Sequence, residues 1–597
     1  MKRLKQILIY LIQGMSTAVL RFPLTVLSLL CSATLICYEI YRSGPPGLLT
    51  QKLIATFIVA AVLGMSAQFA WESFEKLQKY LIALYLGASV LAVGYFLIIL
   101  PAPEITAEIG IRTAVAVFAL ICSVLFLPTI AKEATHPADF NRIALAHFKS
   151  VFTSILFSAV LSGGLAAIIA AVDFLLFKLN SNTYSYMLTI VWVLFATIYY
   201  LSLLPNFNLS TKENLKLDKA TSYPRFLEIL ISYIAIPLIS TYTVVLIAYF
   251  IKILVTLNWP NGQVAVMVLV YTACGLVAFV LASSIDNKFN AFYQRVFPKM
   301  LFPLVVMQLV SVYIRINAYG ITESRYYVVL FGIFSLAISI VLSIWPKGKN
   351  RYIALIAAII ALLSIIPPLD AFTVSRNSQI TRVEIILQEQ NILKNNQLYP
   401  KTDVELITKA EVTNILSYLS YRSSLKYIKW LPKNFDMYKD MEKVIGFAPE
   451  YNNANPDASK YLYISIDAQK PLDIAGYEVI TNLYTGRFDK VSPNMSFSLK
   501  GKNYVIGFDR KNNNESIVFL KDDTGKVLNS INLYEKAKAL IEDKMASKEL
   551  VSPQLLTFDS LQNGYKMRII FQNINGTLGT NTDAGFDYGL SVLIATP

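Results

Sequence analysis

Eleven runs of about twenty mostly apolar residues follow one another between residues 24 and 371, with short polar segments between them. About 20 apolar residues is the length at which a helix crosses the hydrocarbon core of a bilayer. Inside lipid, only helices and closed barrels satisfy every backbone N–H and C=O. The runs are 24–41, 53–70, 80–100, 111–130, 150–177, 186–204, 226–251, 263–285, 299–318, 325–345 and 352–371. Charged residues make up only 15% of the 597-residue chain, against about 25% in a soluble domain. An α-helical polytopic membrane domain follows.

The stretch before the first run, "MKRLKQILIYLIQGMSTAVLRFP", has a shorter apolar part that ends at Arg21 and Pro23. Leu4, Leu8, Leu11, Ile12, Met15 and Val19 share one helical face, with Lys2, Gln6 and Gln13 turned elsewhere. That pattern fits an amphipathic helix lying along the membrane interface. The expected layout is an interfacial helix at 1–23, a transmembrane helical domain at 24–372 and a soluble domain at 373–597.

Lysine and arginine set the expected orientation. With the N-terminus in the cytoplasm, segments on that side carry 19 Lys and Arg and segments on the other side carry seven. Such a bias is the positive-inside signature. An odd number of crossings then places residues 373–597 outside the cytoplasm. The expectation is a multi-pass protein of a bacterial cytoplasmic (inner) membrane with an extracytoplasmic C-terminal domain. The net charge of +14 does not point to nucleic acid, because +12 of it belongs to residues 1–372, in the short loops that orient helices.

Cys31, Cys37, Cys122 and Cys274 all fall in apolar runs without zinc or redox spacing, and they read as small helix side chains. The chain has only two histidines, His136 and His147. They flank "PADFNRIALA" and read as solvated loop residues. No metal site and no cofactor are expected, and no glycine-rich phosphate loop occurs.

After residue 372 the pattern changes. Residues 373–395 read as a helix, and a second helix is expected from "TDVE", with Thr402 and Glu405 as a capping box. From about residue 460 short strands dominate: 461–467, 475–484, 495–501, 503–509, 515–528 with a turn at Asp523–Gly525, 564–573 and 588–596, interrupted by a helix at about 531–545. This is an α+β domain. It contains no histidine, so no serine or cysteine there can be activated by one. No catalytic residues are assigned.

Three charges stand in an unexpected place. "RINAYGITESRYYVV" (315–329) lies between two apolar runs and carries Arg315, Glu323 and Arg325. Gly320 is expected to end one helix in a left-handed conformation, and Thr322 or Ser324 to cap the next. Arg315 then lies inside the membrane end, where it must snorkel or pair, with Glu323 the nearest carboxylate. The segment is either a staple of a tight hairpin or a site for an anion or lipid headgroup. Asp173 and Glu39 are the other intramembrane carboxylates singled out, Asp173 near Lys178 and Glu39 at the end of the first run. Gly163–Gly164 in the helix of Asp173 suggest close packing or a break.

"RINAYGITESRYYVVLFGIF" and "IPLISTYTVVLIAYFIKILVTLNWPNGQVAVMVL" (236–269) resemble the signature segments of the bacterial domain-of-unknown-function family 4153. Arg315, Tyr319, Gly320, Thr322, Glu323, Arg325 and Tyr326 match the family's hairpin. Pro237, Tyr249, Pro260 and Gly262 match the earlier stretch, the last two as a turn. "RFPLTVL" (21–27) and "PLDIAGYEVI" (471–480) also look familial. The resemblance implies a polytopic bacterial membrane protein and supplies no activity.

Three function classes remain. A non-enzymatic envelope sensor, binding or scaffold protein fits a large domain without a catalytic set. A transporter or channel fits the many crossings, with Asp173 and Arg315 on the same side. A lipid-linked glycosyltransferase-like enzyme would use Glu39. The expected partners are membrane lipids, with envelope proteins or lipid headgroups as candidates, and no nucleic acid.

Overall fold

The computed structural model describes residues 2–130, 139–207, 218, 220–256, 263–345, 350–451, 460–486, 494–512, 515–542, 550–578 and 585–597. They form two compact units, 1–382 and 383–597. The boundary falls inside a helix, Ala371–Glu389.

The first unit is helical. Helix α1 (Lys2–Arg21) stops at Phe22, and Pro23 opens α2 (Pro23–Arg42) from the position where its missing N–H costs nothing. Then come α3 (Leu48–Ser73), α4 (Glu75–Ile99), α5 (Ala107–Thr129), α6 (Phe140–Leu175), α7 (Asn182–Leu203), α8 (Arg225–Thr256), α9 (Val264–Ala282), α10 (Lys288–Tyr319) and α11 (Glu323–Ile344). Among the described residues, α2 to α11 are ten helices long and apolar enough to cross a membrane.

The eleventh expected run differs. Its regular helix, α12 (Arg351–Leu363), has 13 residues and ends before Pro367 and Pro368, which lack the N–H a helix needs. The segment nevertheless runs the length of its neighbour α5. Arg351 Nη1 donates to Thr129 O at 3.4 Å, and Asp370 meets Arg112 at 2.7 Å. Arg112 and Thr129 are separated by about 26 Å of helical rise. Residues 351–370 therefore run alongside nearly the whole of α5.

Small residues let these helices approach, as membrane packing favours. A Cβ on Gly275 of α9 would sit 2.3 Å from the Phe297 ring of α10, and one on Gly332 of α11 would sit 2.6 Å from Leu309 of α10. Tyr293 Oη donates to Gly275 O at 2.9 Å and Ser339 Oγ to Pro298 O at 2.8 Å. In contrast, α6 runs unbroken through Gly163–Gly164. Nothing lies within 4 Å of a Cβ at either glycine, so neither provides a break or a close contact. Among the described residues two π-helical turns occur, Ile190–Phe195 in α7 and Leu230–Ala235 in α8. The second ends two residues before Pro237 and contains Tyr233, the residue four back whose carbonyl the proline ring would meet in a regular helix. The wider turn is the local remedy.

The helix that carries the boundary, α13 (Ala371–Glu389), is followed in the second unit by a small hairpin, β1 (Leu393–Lys394) with β2 (Gln397–Leu398). The helix is thus shorter than the expected 373–395. Helix α14 (Leu406–Tyr421) starts at Glu405 with no side-chain cap bond, so the expected Thr402–Glu405 capping box does not form. Its buried Ile415, Leu416 and Leu419, together with Met437, Met441 and Ile445 of α15 (Met437–Ile445), supply apolar faces to the interior.

The remaining strands make two sheets. One has the order β4 (Val479–Thr485), β12 (Gly585–Ala595), β11 (Tyr565–Leu578), β3 (Lys460–Ile466), β9 (Leu550–Val551), with β10 (Thr557–Gln562) also on β11. The other is a meander of β5 (Asn494–Leu499), β6 (Lys502–Asn512), β7 (Glu515–Asp522) and β8 (Val527–Asn532). Alternate residues of both, including Ile506, Val518, Leu520, Ile569, Phe571, Leu590 and Val592, share one core with Leu533 and Ala537 of α16 (Leu533–Glu542). Period-two burial is what a sheet with one covered face requires. The chain is therefore a helical membrane unit followed by an α+β unit.

Candidate functional site

The hairpin 315–326 turns sharply at Gly320, with φ +69° and ψ 177°. The φ is positive as expected, but the ψ belongs to the mirror-extended region rather than the left-handed helix, a conformation essentially confined to glycine. A Cβ there would lie 2.6 Å from Gln379 Nε2. Thr322 occupies the N-cap of α11 without a side-chain bond to the helix; its hydroxyl meets that of Ser324 at 3.2 Å.

Of the three charges of the hairpin, Arg325 is spent on backbone. Arg325 Nη1 donates to Gly320 O at 2.8 Å and to Tyr319 O at 3.2 Å. These carbonyls end α10, where a cation is favourable. The guanidinium also stands over the Tyr319 ring at 5.5 Å, and that of Arg382 at 5.9 Å. Glu323 is buried at the start of α11. Half-buried Arg315 makes no ion pair or hydrogen bond among the described residues, so a pair with Glu323 is not formed.

What the hairpin grips is α13. Ile321 N donates to Ser378 Oγ at 2.9 Å, and Gln379 Nε2 bridges Tyr319 O and Ile321 O at 3.0 Å each. Tyr326 Oη donates to Leu369 O, just ahead of that helix. Beside it, Asp370 is fully buried, caps α13 through Phe372 N and Thr373 N at 3.1 Å, and pairs with Arg112. Arg112 also binds Glu108 at 2.8 Å and Ile365 O at 2.5 Å. The hairpin, the start of α5 and residues 364–379 thus form one polar knot at one end of the helical unit.

Other residues singled out from sequence lie elsewhere. Asp173 accepts from Leu179 N at 2.7 Å and lies 3.4 Å from Lys178, bracing the turn after α6. Glu39 accepts from Gly47 N at 3.2 Å and stands 3.9 Å from Arg42, bracing the turn after α2. Pro260 and Gly262 lie outside the described residues, as does His136.

A second polar cluster, at the opposite end of the helices, escaped sequence reasoning. Arg21 forms a bidentate pair with Glu72, both contacts at 2.7 Å, and donates to Leu204 O and Pro205 O at 2.6 and 3.1 Å. Gln68 joins Glu72 at 2.8 Å and receives Tyr85 Oη at 2.5 Å. The available signal was that Arg21 and Glu72 fall at the same end of two consecutive apolar runs. His147 is not a solvated loop residue. It sits in α6, buried, with Nδ1 2.7 Å from Tyr200 Oη and its ring against Phe207.

The second unit has its own cavity of about 530 Å³, walled by Pro471, Asp473, Thr557 and the pair Asp559–Arg568. The pair is bidentate at 2.6 and 2.8 Å, and Tyr477 Oη donates to Asp559 at 3.1 Å. The Arg568 guanidinium holds the Asp559 carboxyl below its usual value. Among the described residues, no group of three or more His, Cys, Asp or Glu could hold a metal ion.

Fold and polar knot together define a multi-pass helical membrane protein with an appended α+β unit. Residues 26–396, more than half of the chain, match the model for the domain of unknown function DUF4153, and the chain belongs to that family. It is also similar to the uncharacterized protein PM1469 of Pasteurella multocida (strain Pm70), at 26% identity over 348 residues. The match covers 57% of this chain and 54% of the relative, so the chain spans about half of that protein's length. No solved structure matches.

Proposed function

We propose that this chain is a non-enzymatic protein of a bacterial cytoplasmic membrane whose α+β unit lies outside the cytoplasm and senses, binds or scaffolds an envelope partner. The observation that carries the reading is the use made of the family hairpin. Tyr319, Gly320, Arg325 and Tyr326 hold the segment that leads into the second unit rather than lining a reactive cleft. The bias of 19 against seven basic residues supports the orientation, and the run of residues 351–370 alongside α5 supports an odd number of crossings. Helix α1 would lie along the cytoplasmic interface. Two measurements test this. A protease should digest residues 383–597 in spheroplasts but not in inverted vesicles. Purification in mild detergent after in-cell crosslinking should recover an envelope protein bound to that unit. The opposite protease pattern, or a chain always recovered alone, overturns the reading.

A second reading, movement of a small solute or ion, draws on the buried cluster of Arg21, Glu72, Gln68 and Tyr85, since ionisable groups at membrane depth often mark pathways. Proteoliposomes showing no flux across a broad ion and solute panel would retire it.

A further inference from the structure

Between α5, α9, α11 and α12 lies a cavity of about 460 Å³, within the range of small-molecule sites. Its walls are apolar side chains, among them Phe118, Leu269, Phe331, Phe334 and Ala361, apart from three hydroxyls: Ser324, Tyr327 and Ser364. All three sit at the hairpin end, Ser324 and Tyr327 in the first turns of α11 and Ser364 just past α12. Two of them are engaged, Ser364 with Ala361 O at 2.7 Å and Ser324 with Thr322 Oγ1 at 3.2 Å. The Tyr327 hydroxyl is buried beside the Ser364 hydroxyl but makes no hydrogen bond of normal geometry with it, the Ser364 proton being given to Ala361 O.

We propose that this cavity holds one acyl chain of a glycerophospholipid from the leaflet next to the hairpin, with the lipid's ester carbonyl accepting from Tyr327 Oη. Three observations select that occupant. From Ser324 to Phe334 the cavity follows α11 for about 15 Å of rise, half of the ~30 Å hydrocarbon core and so the depth of one leaflet. Its polarity runs along that axis as a lipid's does, hydroxyls at the headgroup end and hydrocarbon below. Arg112, one turn above Val115, and Arg325, next to Ser324, stand at the level where the phosphate falls. Water is a poor occupant, because it needs two to four polar partners and the deep wall offers none. A buried donor left unmatched is costly, and an ester carbonyl is the acceptor a phospholipid brings to this depth.

The test is the lipid content of the full chain purified in a maltoside detergent, extracted and quantified as glycerophospholipid per protein. The wild type should retain about one molecule per chain. Ala361→Phe fills the cavity and should abolish retention. Tyr327→Phe should lower it about fivefold, the equivalent of one hydrogen bond. Thermal unfolding of each variant in the same detergent establishes that it is folded. Equal phospholipid in the wild type and folded Ala361→Phe overturns the proposal. So does a wild type that carries only detergent or free fatty acid. If Ala361→Phe does not fold, Tyr327→Phe decides, and unchanged retention in that variant overturns it.

Discussion

Asp370 Oδ1 lies 2.7 Å from Arg112 Nη2, an ion pair across 258 positions of sequence. It ties the end of the segment that follows α12 to the beginning of α5. The carboxylate is fully buried and the guanidinium one-quarter exposed. The same carboxylate caps α13, so one side chain fixes both the end of the segment that follows α12 and the start of the helix into the second unit.

Removing one partner of that pair leaves a buried charge with less compensation. Arg112→Met should destabilise the protein by about 3 kcal/mol. Asp370→Ala should cost a similar amount, including about 1 kcal/mol for the lost cap. The double variant should lose clearly less than the sum, because the two residues share the interaction. Thermal unfolding in detergent, run as a double-mutant cycle, measures the coupling. Additive losses would show that the pair is not coupled.

Gly320→Ala places a Cβ 2.6 Å from Gln379 Nε2 on a backbone with φ +69° and ψ 177°. Strain of this kind costs about 1–3 kcal/mol. Gly320→Ala combined with Gln379→Ala removes the collision but keeps the dihedral strain and gives up two hydrogen bonds to the hairpin. It should not recover wild-type stability. Limited proteolysis of the 364–382 segment should quicken in both variants, since the grip on α13 is what each one loosens.

Arg21 donates four hydrogen bonds from one guanidinium, two to Glu72 and one each to Leu204 O and Pro205 O. A lysine keeps the charge but not the fork. Arg21→Lys should therefore lower stability by about 1–2 kcal/mol, and Arg21→Met by about 3 kcal/mol or more, because it strands a buried Glu72. Glu72→Gln together with Arg21→Met should recover part of the loss. Melting temperatures in detergent separate the three.

These residues mark the line between what sequence could and could not supply. Helix length follows from local hydropathy, so α2 to α11 were legible one by one. So was the alternation of β6, β7, β11 and β12. The hairpin's glycine and charges were legible as unusual, yet what its backbone and Tyr326 grip was not, since Leu369, Ser378 and Gln379 lie roughly 45–60 residues further along the chain. Arg21 read as an ordinary loop charge and Glu72 was not singled out, because only the packed helices bring the two together. Strand β10 was missed because "TFDSLQ" has a weak alternation of its own and is held by register with β11, Phe558 opposite Ile569. Asp173 and Glu39 were noticed for being acidic near lipid, but the turn that follows each one in sequence accounts for its contacts.

The second unit carries a titration that can be checked by acid. Glu478 receives Lys500 Nζ at 2.8 Å, and Thr596 donates to it through Oγ1 at 2.9 Å and N at 3.2 Å, tying the last residues of the chain to β4. The Lys500 hydrogen bond first, then those from Thr596, bring its carboxyl down to about 2 from an ordinary 4.5. A carboxyl whose folded value lies below its unfolded one adds stability above the unfolded value, and that stability is lost as pH falls toward the folded one. Wild type should therefore melt higher than Glu478→Gln at pH 7. The gap should hold down to about pH 5 and narrow progressively from pH 4.5 to pH 3, as the unfolded chain begins to bind the proton that the folded chain still refuses. Lys500→Met should remove the largest cause of the depression, so the gap at pH 7 should be smaller and its narrowing, which still begins near the unfolded value, should be complete at a higher pH because the folded value then lies closer to the unfolded one. A gap that stayed constant through pH 3 would mean that Glu478 titrates normally in the folded protein and that its contacts with Lys500 and Thr596 are not held in solution.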